Sequence, residues 1–181
     1  MVHQIVSQFY EIPVAVVTLI ILAAILLWGV VGGIFFDRSW WRVTNIFLLV
    51  LSVLLIVLIT SVLRNNEKSG IYLIPFSILE QARIYPDVYN QMVLNVLLFL
   101  PLGLSLPFCF SNRNKHPVLV TIIFAFGLSI IVEVLQYIFK CGYSELDDIM
   151  LNTVGAACGT IAYFLTRFVI NMRQKGRNKV G

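Results

Sequence analysis

The sequence predicts an all-α membrane protein, a bundle of about five transmembrane helices, on three observations. The chain of 181 residues is 59% hydrophobic and 12% charged. Its mean hydropathy is +0.90, outside the range of soluble domains. Its apolar residues gather in five long runs rather than the short alternating segments of a β-barrel. About 20 apolar residues cross a hydrocarbon layer of roughly 30 Å, so little chain is left for a separate soluble unit.

The first run, Ile12 to Phe36, is free of charge, with Glu11 before it and Asp37 and Arg38 after. It lacks the basic start and small-residue cleavage site of a signal peptide, and so reads as a retained span. The second runs from Val43 to Leu63. The connection from Arg64 to Gln91 contains Ile71 to Phe76, an apolar stretch too short to span, which reads as a partly re-entrant or interfacial outer loop. Tyr72, Phe76, Tyr85 and Tyr89 suit the headgroup layer, where an aromatic body and a polar tip are both satisfied. The remaining spans are Met92 to Phe110, Pro117 to Phe139 and Ile149 to Ile170. The chain divides into two N-terminal helices (1–70), a central region (71–164) and a last-helix end with a basic tail (165–181).

Orientation follows from the basic residues. With five spans, nine of the thirteen Lys and Arg residues fall on the face holding the C-terminus and four on the other. The expectation is an N-terminus outside and a C-terminus in the cytoplasm. The basic tail then reads as a stop-transfer and topology signal, the alternative being a contact with anionic head groups. A net charge of +4 spread in this way does not suit nucleic-acid binding. The three cysteines form no C-x-x-C pair and the two histidines are isolated, so no metal site is expected. Nucleotide-binding loops, G-x-S-x-G and H-E-x-x-H are absent from the sequence, and no cofactor is expected.

Function is sought in the polar residues that interrupt the spans, because a charge there costs several kcal/mol and faces protein or water rather than lipid. Glu133 and Gln136 share one face near the outer end of the fourth span. Asp148, Asn152, Gly155 and Gly159 recur at helical spacing and make one stripe on the last span, with Asp147 beside it. Asn95 lies about a turn into the third span from the same side. The candidate binding set is therefore Asn95, Glu133, Gln136, Asp147, Asp148 and Asn152, with Glu133 as the candidate general acid or base. The small-x-x-x-small pattern of Gly155 and Gly159 serves close helix packing, and Gly29 and Gly33 repeat it.

These residues also carry a resemblance. N-Q-M-V-L-N-V-L-L-F-L-P-L-G-L-S-L-P-F from Asn90 to Phe108, E-V-L-Q from Glu133 to Gln136 and D-D-I-M-L-N-T-V-G-A from Asp147 to Ala156 resemble the VanZ family, and I-P-F at Ile74 to Phe76 fits the same pattern. The resemblance covers roughly Ile71 to Phe164. It carries over Asn95, Pro101, Gly103, Glu133, Gln136, Asp148, Asn152 and Gly155. Glu145 stands where Asp is commoner, and Gly142 where many members have Arg, which removes a candidate anion clamp. The resemblance implies a small integral membrane protein linked to resistance to teicoplanin and related lipoglycopeptides, with no settled reaction.

Three uses of the polar set follow. In the first, a groove open to the outer leaflet holds membrane lipid, a lipoglycopeptide or a lipid-linked cell-wall precursor, with the amides on its polar head. In the second, an enzyme acts on such a substrate through Glu133, with Asp147 and Asp148 holding a divalent cation. In the third, Glu133 relays protons for transport, although no inverted repeat is evident. Whether the chain works alone or as an oligomer is open.

Overall fold

The computed structural model describes residues 14–62, 70–110, 116–140 and 142–177. The thiol of Cys141, placed in an outer connection by the sequence, lies outside them. The helices are α1 (Val14–Phe35), α2 (Ser39–Val57), α3 (Ser77–Ile84), α4 (Pro86–Cys109), α5 (Pro117–Ile138) and α6 (Leu146–Arg177). A π-helical turn, Leu58–Val62, continues α2. Five of these helices, all but the eight-residue α3, are long and apolar enough to cross a membrane. Their outward faces are apolar, as lipid contact requires: Leu27 is 65% and Phe47 69% exposed.

Helix boundaries differ from the sequence expectation where local chemistry extends a helix into polar sequence. α4 begins at Pro86 rather than Met92, because proline at the first helical position gives up a hydrogen bond that has no partner there anyway. α6 begins at Leu146 rather than Ile149, which places Asp147 and Asp148 in its first turn, where the helix dipole favours carboxylates. Pro101 and Pro107 lie inside α4 without ending it.

A feature that the sequence does not predict joins the connection after α2 to the connection after α5. Strands β1 (Gly70–Tyr72) and β2 (Tyr143–Glu145) pair in parallel, Gly70 opposite Tyr143 and Tyr72 opposite Glu145. Three residues are too few to give a periodic signal, and a parallel partner far along the chain leaves no local trace.

α6 is the central helix and packs against α4, α1 and α5, while α2 lies on α4. The α4–α6 contact is closest where glycines meet backbone: a Cβ on Gly155 would overlap the carbonyl of Val96, and one on Gly159 that of Leu100. Gly29 of α1 lies against the Leu165 side chain and the Ala162 carbonyl of α6, and Gly33 against the Val169 side chain. Phe99, Leu102, Val132 and Ala156 fill the core between α4, α5 and α6. At the end of the bundle that carries the C-terminus of α6, arginines close the helix ends. Arg42 Nε donates to Cys109 O at 3.2 Å and Arg173 Nη1 to Gly33 O at 2.9 Å, each satisfying a late helical carbonyl. Arg167 lies 5.9 Å from the ring centre of Phe36.

Candidate functional site

The opposite end, where β1 and β2 pair, carries the polar residues. Asp147 and Asp148 are neighbours on α6, about 100° apart around its axis, and this sends their side chains to different elements. Asp147 is buried and accepts from Phe76 N at 2.6 Å, Ile78 N at 2.9 Å and Ser77 Oγ at 3.1 Å. The residue preceding α3, Phe76, has no capping side chain, so Asp147 satisfies the free N–H groups of that helix from outside. Phe76 has φ 64°, a left-handed conformation that costs a bulky residue about 1–2 kcal/mol and is held by the Asp147 bond to its own N–H.

Asp148 turns to α4. Its Oδ1 accepts from Asn95 Nδ2 at 2.7 Å and its Oδ2 from Gln91 Nε2 at 3.3 Å. One turn further along α6, Asn152 Nδ2 donates to Ser129 Oγ of α5 at 2.8 Å, while its buried Oδ1 has no partner among the described residues. Glu133, one turn after Ser129 on α5, is 2% exposed, and its Oε2 accepts from the backbone N–H of Glu145 in β2 at 2.9 Å. Gln136, 1% exposed, donates from Nε2 to Thr60 O in the π-helical turn at 3.4 Å. A π turn frees carbonyls from the regular ladder, and one of them is met here by a side chain.

All six candidate residues thus lie at one end of the bundle, each with a hydrogen bond to a different element. Asn95 and Asp148 bond each other, Asn152 reaches Ser129, Glu133 holds β2, Gln136 holds the end of α2 and Asp147 holds α3. The oxygens of Asp147 and Asp148 point to different elements, so the two do not form a shared cation clamp. Among the described residues no group of three or more His, Cys, Asp and Glu side chains is placed to hold a metal ion.

Gln91, Ser129 and Ser77 are not singled out by the sequence. Gln91 is four residues before Asn95 and Ser129 four before Glu133, so each shares a helical face with a candidate residue. That spacing is the available signal for both. Ser77 has none.

Comparison with known proteins extends the resemblance beyond these motifs. The chain is 32% identical over 89 residues to Protein VanZ of Enterococcus faecium, a match covering 49% of this chain and 53% of that protein. The matched part is thus about half the length of that curated relative. No solved structure matches. The family model described as VanZ/LLP1 matches residues 19–167, which takes in most of the first span, all of the second and every candidate site residue. The chain belongs to the VanZ/LLP1 family.

Proposed function

We propose that the protein binds, without chemical conversion, a lipid-bearing cell-envelope molecule or a teicoplanin-type lipoglycopeptide at the outer leaflet, and so contributes to glycopeptide resistance. The observation that carries this reading is how the buried carboxylates are used. Asp148 holds the first turns of α4, Glu133 holds β2 and Asp147 holds α3. The segment so held turns an apolar face outward: Leu73 is 68%, Ile74 69%, Phe76 57% and Ile84 70% exposed. An apolar rim fixed above buried amides suits an amphiphile with a polar head and a hydrocarbon tail. Carboxylates engaged with backbone N–H groups, as Asp147 and Glu133 are, or with side-chain amides, as Asp148 is, position segments, which binding requires and which needs no turnover.

The test is expression in a glycopeptide-susceptible bacterium. The chain is expected to raise the inhibitory concentration of teicoplanin more than that of a glycopeptide without an acyl chain, and an equal or absent effect would overturn the reading. Glu133→Gln keeps an oxygen to accept from Glu145 N and is expected to retain both thermal stability in detergent and protection. Glu133→Ala removes that acceptor and is expected to cost about 1–3 kcal/mol of stability. Retained stability with protection lost in Glu133→Gln would point instead to proton chemistry at Glu133.

The reading requires β1, β2 and α3 outside, the orientation given by the positive charges. In a background with Cys141 replaced by serine, Glu80→Cys, at an exposed position of α3, is expected to react with a membrane-impermeant maleimide in intact cells. Lys175→Cys is expected to react only after permeabilisation. The reverse pattern would place the platform in the cytoplasm and exclude an outer-leaflet ligand.

A further inference from the structure

A groove between the outer halves of α1 and α4 belongs to none of the pairings above. Val17 and Ile20 line it from α1, and Val93, Leu94 and Leu97 from α4, with Asn90 and Tyr89 at its mouth. α1 and α4 touch only sparsely because both lean on α6. Deeper in the bundle Ile25, Leu100, Leu104 and Ala162 close the three helices together and end the groove. On α4, Asn90, Val93, Leu94 and Leu97 follow helical spacing, so they form one stripe; Gln91 and Asn95, which bond Asp148, lie on another. The groove is open to the lipid side, where Ile20 is 55% exposed and Leu94 36%.

Its one anomaly is Asn90. The residue is 6% exposed and its Nδ2 has no acceptor among the described residues, although a buried amide donor left unpaired is costly. An apolar slot with an unused donor at its mouth fits a ligand with an acceptor oxygen at the head of a hydrocarbon chain. The depth agrees. Asn90 is four residues, about 6 Å, below the start of α4. α4 has 24 residues and, at about 36 Å, exceeds a roughly 30 Å hydrocarbon layer by a few Å at each end, so Asn90 lies at the boundary between head groups and hydrocarbon. In a diacyl phospholipid the ester carbonyls occupy that boundary.

We propose that this groove is a binding site for one diacyl phospholipid of the leaflet, Asn90 Nδ2 donating to an ester carbonyl while Val17, Ile20, Val93, Leu94 and Leu97 enclose the first about 10 Å of one acyl chain. The site is separate from the polar cluster and does not rest on the resistance reading; it stands or falls whatever the effect on teicoplanin.

The experiment uses the full chain in detergent, with native mass spectrometry after titration with 1-palmitoyl-2-oleoyl-phosphatidylglycerol or with its dialkyl ether analogue, which has no ester carbonyl. The wild type is expected to retain one ester lipid and to hold the ether analogue roughly 3- to 10-fold more weakly, the worth of one net hydrogen bond. Asn90→Leu, which removes the unpaired donor, is expected to keep or raise the melting temperature while binding both lipids equally. Leu94→Trp, which fills the slot, is expected to lose the retained lipid of either kind. Equal binding of ester and ether lipid by the wild type would overturn the proposal, as would undiminished discrimination in Asn90→Leu. A dimer abolished by Leu94→Trp would assign the groove to a second copy of the chain instead. Unchanged lipid retention in Leu94→Trp would assign the lipid to another surface.

Discussion

Gly155→Ala is expected to destabilise the bundle by about 1–3 kcal/mol, although it exchanges a poor helix former for the best one. The two effects oppose each other, and their sizes decide the sign. Alanine in a helix interior gains about 1 kcal/mol over glycine. Its Cβ at this position would meet the carbonyl, carbonyl carbon and Cα of Val96, all backbone atoms that no rotamer change can move. α4 and α6 must then separate along their main contact, and overpacking of this kind costs about 1–3 kcal/mol or more. Separation would also draw Asn95 away from Asp148, so stability and the proposed ligand binding should fall together. Gly127 provides the control: nothing lies within 4 Å of a Cβ placed there, and Gly127→Ala should stabilise α5 by up to about 1 kcal/mol. Thermal unfolding in one detergent, with both variants side by side, is the measurement. Loss of stability in both, or in neither, would show that α4 and α6 do not meet through the glycines.

The second large effect is expected at Asp148. Asp148→Ala leaves the amides of Asn95 and Gln91 without their acceptor. A fully buried orphan donor costs about 1–3 kcal/mol, whereas interhelical hydrogen bonds in membrane proteins average only about 0.6 kcal/mol when the partners can pair elsewhere. Asn95 and Gln91 are half-buried, so part of the loss is recovered, and the net expectation is about 2 kcal/mol. Asp148→Asn should fall between wild type and alanine, because its single oxygen serves one donor while its NH2 confronts the other. The effect should also be local. Hydrogen exchange is expected to rise over the first turns of α4 and α6 and to leave the α1–α6 contact near Gly29 unchanged. Uniform exchange across the bundle would mean that Asp148 holds the whole fold rather than one end of it.

The parts of this protein legible in the amino-acid sequence are those that depend on neighbours in the chain. Five spans follow from run length, because hydrocarbon thickness sets how many apolar residues are needed. The stripe of Asp148, Asn152, Gly155 and Gly159 follows from 3.6 residues per turn, and the structure places its two glycines against α4 as the small-residue spacing implies. The resemblance likewise rests on linear patterns, and the family match over residues 19–167 agrees with it.

What the chain withheld is the identity of partners far apart along it. Phe76 lies 71 residues from the carboxylate that accepts its N–H, and Thr60 lies 76 from the amide that meets its carbonyl. β1 and β2 are three residues each and pair in parallel, while the π-helical turn that continues α2 packs on α5. Asp147 and Asp148 make the contrast plainest. In sequence they are identical residues side by side, and both enter the same candidate binding set and the same possible cation site. On the helix they diverge by about 100°. That angle sends one to cap α3 and the other to hold α4, and only the packing of α3 and α4 around α6 determines which carboxylate meets which partner.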